Sequence, residues 1–232
     1  MRRRRFLAGC GAVAGVSALA RPWPVVDGVA GEIAFVEGAR VRLVLEGRTP
    51  VAASRLVPHQ SYVFLYPFES TPCFLLDLGR AVPEVQVALR GTAAGYVWAG
   101  GVGSGRSIVA YSAICPHAFA HPTREVAMIH YYGPDTPATV AQRTGVVTCC
   151  VHGSTFDPTR GAVPLEPPAE IPLAAIALEW DAGTDGLWAR GVVGRPVFDE
   201  FFKSFPKRAR GVVQGATAVW ELERYSRAVL SC

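Results

Sequence analysis

The sequence predicts an all-β chain, on three observations. Short segments rich in Val, Leu, Tyr and Phe recur along it, 24 glycines and 18 prolines punctuate them, and no long stretch keeps a helical period until the C-terminal tail. With 232 residues, half of them apolar, the chain can bury the core of one sizeable domain with elaborations, or of two small ones.

The first residues, Met1-Arg2-Arg3-Arg4-Arg5-Phe6-Leu7, are a charged lead into a small, apolar run that ends near Leu19. Ala18-Leu19-Ala20 then supplies an A-x-A cleavage site. Paired arginines before Phe6-Leu7 resemble a twin-arginine export signal, the route for proteins folded with their cofactors already inserted. Leu7-Ala8-Gly9-Cys10 has the letters of a lipoprotein box but precedes most of the apolar run that such a box should follow. The run is also shorter than the ~20 residues of a membrane span, so cleavage is favoured over anchoring. Residues 1–20 thus read as a signal peptide, with a linker over 21–39, and the destination is the periplasm or the outer face of the cytoplasmic membrane.

Removing the signal takes away four arginines and no acids, which leaves 19 basic against 19 acidic residues. The formal charge of +4 is therefore an export tag. No basic stripe remains, and nucleic-acid binding is excluded as a function class.

Strands are expected at Val41–Leu45, Tyr62–Tyr66, Cys73–Leu78, Val85–Leu89, Ser107–Tyr111, Val146–Thr148 and Ile176–Glu179. The connection over 118–145 is long enough to need a function or structure of its own. In the tail, Phe198, Phe201, Phe202 and Phe205 fall at i, i+3, i+4 and i+7, one helical face that either packs back on the chain's own core or forms an arm that docks on a partner. Trp220–Leu230 reads as a helix or an extended arm.

Chemistry concentrates in two segments, Ala113-Ile114-Cys115-Pro116-His117 and Thr148-Cys149-Cys150-Val151-His152-Gly153-Ser154-Thr155-Phe156-Asp157. Each offers one thiolate and one imidazole, as C-x-H and C-x-x-H. Thiolate is a soft anionic ligand suited to iron–sulfur clusters, and imidazole a neutral one. Zinc takes the same Cys₂His₂ set. A zinc finger, however, pairs its cysteines in one knuckle and its histidines in another element, whereas here both segments mix the two. Two mixed loops can each give a cysteine to one iron and a histidine to the other iron of a [2Fe–2S] unit.

At this point the sequence resembles the Rieske family, through C-P-H, then C-x-x-H-G-S-x-F-D, Gly161 and the run Pro164-Leu165-Glu166-Pro167-Pro168. The likeness spans roughly residues 40–195, with the cluster-binding part at about 107–168 and a C-terminal extension over 196–232. It implies an antiparallel β-sandwich with a two-loop cluster-binding subdomain. It also implies that Cys115 and Cys149 hold the ferric iron of a Rieske-type [2Fe–2S] cluster, and His117 and His152 the iron that becomes ferrous. Residues 161–168 match the family's proline loop.

Three departures stand against the family's high-potential branch. Ala120 and Val151 occupy the positions of its inter-loop disulfide, so no bridge is expected between the loops. Phe156 replaces a tyrosine whose hydroxyl donates to a cysteine sulfur, while Ser154 can still donate to a bridging sulfide. A reduction potential in the middle of the Rieske range is therefore expected, roughly −150 to +300 mV. The spacing of 31 residues between His117 and Cys149 is well over the family's usual one. The insert holds His121, His130, Tyr131 and Tyr132; His121 is a weaker alternative ligand, since it abandons C-x-H. Of Cys73, Cys150 and Cys232, left once the cluster has its ligands, Cys73–Cys232 is the expected disulfide, with Cys150 free.

The resemblance implies an electron-transfer subunit of an exported or membrane-associated oxidoreductase. It would pass electrons between a redox partner, molybdoenzyme-like or cytochrome b-like, and a c-type cytochrome, as the small subunit of arsenite oxidase does. The runner-up is the quinol-oxidising Rieske subunit of a cytochrome bc-type complex. A ring-hydroxylating oxygenase would need a second iron site, for which five histidines and no second large domain are too few.

Overall fold

The computed structural model describes residues 34–88, 95–194 and 197–232. The expected signal at 1–20 and residues 21–33 of the linker lie outside the described residues. In chain order the first strands are β1 (Ala34–Val44), β2 (Ser61–Leu65), β3 (Pro72–Asp77), β4 (Val85–Ala88), β5 (Gly95–Trp98) and β6 (Ile108–Ser112). Then come β7 (Val126–Ala127), β8 (Ile129–Tyr132), β9 (Val146–Cys149), β10 (Thr155–Asp157) and β11 (Val163–Glu166). Last are β12 (Ala175–Asp181), β13 (Gly186–Gly194), α1 (Val197–Ser204), β14 (Ala216–Glu221), the short α2 (Leu222–Tyr225) and β15 (Ala228–Val229).

The fold is mostly β, as the sequence predicts. Seven strands close into a barrel in the order β1-β13-β12-β6-β3-β2-β14. Its layers differ from a plain antiparallel sandwich because β14 fills the gap between β1 and β2, antiparallel to β2 and parallel to Arg42–Val44 of β1. The segment after 196, read from sequence as an extension, thus supplies a barrel stave, and the barrel keeps no open edge for another chain to pair with.

A second, four-stranded antiparallel sheet runs β11-β10-β9-β8. It stands on the wall made by β2, β3 and β6, and this explains why Cys73-Phe74-Leu75-Leu76 is a continuous apolar run rather than an alternating one. Cys73 and Leu75 face a core inside the barrel with Val41, Leu43, Phe64 and Leu187. Phe74 and Leu76 face a second core with Val109, Tyr111, Ile129, Val147 and Phe156, under the small sheet. Both faces are dry, so the alternation signal vanishes.

The long connection over 118–145 has its own structure. It contributes β8, which pairs with β9 from Ile129 opposite Cys149 to Tyr132 opposite Val146, and β7, which pairs with β15 of the tail. The expected phenylalanine face is real: α1 buries Phe198, Phe201 and Phe202, which join the barrel core, and Phe205 packs against the same core. The 220–230 stretch is neither wholly helix nor arm, but strand, one helical turn and a short strand in succession. Among the described residues no helix is long and apolar enough to cross a membrane.

Candidate metal centre

The first loop leaves β6 at Ser112, whose hydroxyl accepts from the Ile114 amide at 3.2 Å. Cys115 N–H then donates to the Ala120 carbonyl at 2.9 Å and Phe119 N–H to the Cys115 carbonyl at 2.8 Å, which folds 115–120 into a tight bend. The second loop joins β9 to β10. Cys149 N–H donates to Ser154 O, and Gly153 N–H to Cys149 O, both at 2.8 Å. Gly153 has φ 84°, the left-handed region where a side chain is costly, and this accounts for the glycine after His152.

The two loops bring all five expected residues together, sorted by type. Cys115 and Cys149 are each 1% exposed and lie on the apolar core under the sheet. His117 and His152 are exposed, their rings perpendicular with centroids 4.9 Å apart. Ser154 is fully buried; its Oγ accepts from Ala169 N–H at 3.0 Å. It also hydrogen-bonds Cys115.

The electrostatics favour negative charge at the bottom of the site. The Cys149 thiol donates to Cys115 and holds its pKa down to about 7 against burial, with help from the amides of His117 and Ala118 and from the Ser154 hydroxyl. Cys149 moves the opposite way, pushed up by giving its proton to that bond, by burial and by the charge of Cys115. The amides of Val151 and His152 also point at the Cys149 sulfur. Four backbone donors thus converge on two sulfurs, a setting that stabilises thiolates. Among the described residues no three of His, Cys, Asp and Glu converge on a single ion. Two thiolates side by side and two imidazoles side by side suit a binuclear group instead, with one pair per metal.

The remaining motif residues shape the surroundings. The Asp157 carboxylate accepts from the backbone and the hydroxyl of Thr159, at 2.8 and 2.7 Å, and so caps the turn leading to the proline loop. Gly161 has φ 72°, and a Cβ there would meet Val87 Cγ2 at 2.5 Å. Phe156 is fully buried and has no hydroxyl to offer. Beside His152 lies an open cavity of about 560 Å³, rimmed by Val140, Val151 and Pro167; Val140 is 56% and Val151 41% exposed.

His121 is not among the cluster residues. Its Nδ1–H donates to the Phe119 carbonyl at 2.6 Å, and its Nε2 accepts from Arg208 at 3.3 Å. It packs on Phe201 and Phe205, with centroids at 5.1 and 5.7 Å. The expected Cys73–Cys232 disulfide is corrected: Cys150 pairs with Cys232, and Cys73 is a free thiol. Cys73 lies fully buried inside the barrel and donates to the Tyr66 carbonyl at 3.0 Å, out of reach of the tail. No bridge joins the two loops to each other, in keeping with Ala120 and Val151. Nothing in the spacing of the cysteines signalled the Cys150 pairing, which depends on where β8 and the tail cross.

Residues 82–176 match the family model of the Rieske [2Fe-2S] domain. The chain is also similar to the soluble domain of the Rieske protein II (soxF) from Sulfolobus acidocaldarius, at 26% identity over 72% of this chain and 81% of that one, with a TM-score of 0.49. The matched residues contain both loops and the run Pro164–Pro168.

Proposed function

We propose that Cys115 and Cys149 bind one iron of the [2Fe–2S] cluster and His117 and His152 the other. We further propose that the chain is the electron-transfer subunit of an exported or membrane-associated oxidoreductase. In that role it passes single electrons between a catalytic redox partner and a c-type cytochrome, on the outer side of the cytoplasmic membrane after twin-arginine export. The sorting of the four side chains carries the reading, with a buried thiol pair below and an exposed imidazole pair above.

When bound, the cluster takes up and returns one electron at a time. Cys115 and Cys149 hold it from the apolar side, where the packed core excludes water. His117 and His152 present it to the surface, where a partner's redox centre can approach. The ring nitrogen of each histidine that is not a ligand can hold a proton at that surface, so electron and proton can leave by the same face. Ser154, fixed by the Ala169 amide, donates toward the sulfur side and stabilises the more negative state. The apolar rim of Val140 and Val151 beside His152 offers dry contact for a partner.

The test is to export the whole chain in a bacterial host and assay the fractions for iron and acid-labile sulfide. The expected result is a coloured periplasmic protein with two of each per chain, and C115S or C149S should be colourless. Zinc in place of iron, or full loading of either variant, overturns the ligand assignment. Copurification with a catalytic subunit supports the proposed role, and quinol-dependent reduction of cytochrome c by the native complex decides instead for the bc-type reading.

A further inference from the structure

Cys150 follows Cys149 in sequence, and it is bonded to Cys232 across a separation of 82 residues. The tail that carries Cys232 does not reach it as a loose strap. Ser226 Oγ donates to the Thr123 carbonyl at 2.6 Å, and the amides of Arg227 and Ala228 donate to the carbonyls of Arg124 and Glu125. β15 then runs parallel to β7, and Leu230 N–H donates to Ala127 O at 3.0 Å. The His130 ring hydrogen-bonds the Leu230 carbonyl at 3.0 Å. Cys232 N–H donates to the Tyr132 hydroxyl at 2.9 Å, and its carbonyl accepts from Thr139 N–H at 2.5 Å. Ser226–Leu230 and Cys232 are therefore tied to the 118–145 connection, and the disulfide ties that end to the second loop.

That loop needs such a tie. Its tip, Val151 and His152, is exposed, and the 149–154 turn is closed by two backbone hydrogen bonds between its own ends. Such short turns open readily when nothing outside holds them. Beyond Cys149 and Ser154, whose side chains meet Cys115 and the Ala169 amide, the hydrogen-bonded and covalent anchors of the tip are the Cys150 amide, which donates to the Met128 carbonyl at 2.7 Å, and the Cys150 side chain bonded to the tail. Both anchors come through one residue and one neighbouring segment.

We infer that the Cys150–Cys232 disulfide and the docked tail form a brace that positions Cys149 and His152 for the cluster. The inference rests on the ligand assignment proposed above. Cys150, Cys232, Tyr132 and His130 are positioning residues in it: they touch the loop or the tail, not the metal. The brace does from the outside of the loop what a bridge between the two loops would do across the site, and Ala120 and Val151 leave no such bridge possible.

The experiment compares the full-length wild type, C150S, C232S and the double variant, each isolated with its cluster and again after removal of metal. Amide hydrogen exchange at Val151, His152 and Gly153 should be at least tenfold faster in all three variants, and exchange at 118–121 should stay within twofold of wild type. Iron release to a chelator should also rise at least tenfold, the double variant matching either single one because both remove the same bond. The reduced cluster's electron paramagnetic resonance signal should broaden as His152 samples more orientations. Exchange in the second loop within twofold of wild type overturns the brace; so does equal acceleration in both loops, which would make the disulfide a stabiliser of the whole fold. If C232S lacks a cooperative thermal transition, exchange in the metal-free native protein before and after reduction of this disulfide carries the same test, with reoxidation expected to restore slow exchange. A wild type without iron and sulfide defeats the ligand assignment, whereas the metal-free exchange reads the brace alone.

Discussion

The first loop leans on side chains, and the second is held by backbone and a covalent bond. Phe119 and His121, at the end of the first loop, pack on Phe201 and Phe205 of the C-terminal helix region, with Arg208 reaching back to His121. Cys150, inside the second loop, is bound to Met128 through its amide and to Cys232 through its sulfur. Both supports come largely from the C-terminal part of the chain, but their physics differs. Packing responds to cavities and to the charge of a buried histidine, whereas a disulfide responds to redox conditions. Two halves of one site should therefore fail under different stresses.

The largest effect that would break this comparison comes from F201A. Phe201 is fully buried and touches Phe119, His121, Phe202 and Phe205. Truncating a buried Phe costs about 3–5 kcal/mol through lost burial and the cavity left behind. Chemical denaturation should show a loss of that size, and hydrogen exchange should quicken at 115–121 well before 149–153. Equal quickening in both loops would mean that they are not separately supported.

What could be read from the sequence follows the same division. That Cys115, His117, Cys149, His152 and Ser154 come together was legible because each motif is a local spacing and each loop is a local structure. Cys73–Leu78, Ser107–Tyr111 and Val146–Thr148 were legible as strands because a double-faced position demands an unbroken apolar run. β13 was not: Gly186, Gly191 and Gly194 break its pattern, and a strand whose glycines lie against neighbours, as Gly194 lies 3.4 Å from Ala174 through a hypothetical Cβ, looks like loop in one dimension. β8 hid inside a segment full of turn residues. Cys150–Cys232 hid because a disulfide is chosen by distance in space, and the tail's path along β7 is set by backbone pairing that no residue type announces.

Ser154 sharpens the comparison, since it sits on the second loop and bonds to Cys115 of the first. S154A removes the donor to that sulfur and leaves the buried Ala169 N–H without its acceptor. An unsatisfied buried donor costs about 1–3 kcal/mol. If the lost bond favours the reduced cluster by about 1 kcal/mol, the midpoint potential should drop by ~40 mV, from the one-electron conversion of 59 mV per tenfold. A redox titration of the purified protein checks the shift. A potential unchanged in S154A would place its hydroxyl in structure alone, and a wild-type value near the top of the Rieske range would refute the effect expected of Phe156.

The smallest effect concerns the proton that the first loop excludes. Burial lowers the pKa of His121; the Phe119 carbonyl opposes this, and the charge of Arg208 adds to it. Nε2 accepts from Arg208, so the folded state needs the neutral ring. Because the folded pKa lies below the unfolded one, the unfolded chain binds the extra proton first as pH falls. The stability gained from the neutral ring is then complete above about pH 6.5 and shrinks below it, by at most about 1.4 kcal/mol per pH unit for one group. His130, also lowered by burial, adds a second group with the same sign next to the tail. Thermal melts of the metal-free protein at pH 7.5 and 5.5 should therefore separate in wild type, and H121F should narrow the gap while H130F narrows the remainder. Exchange at pH 5.5 should quicken at 118–121 in wild type and not in H121F; quickening that survives the substitution would show that the acid-sensitive contact of the first loop lies elsewhere.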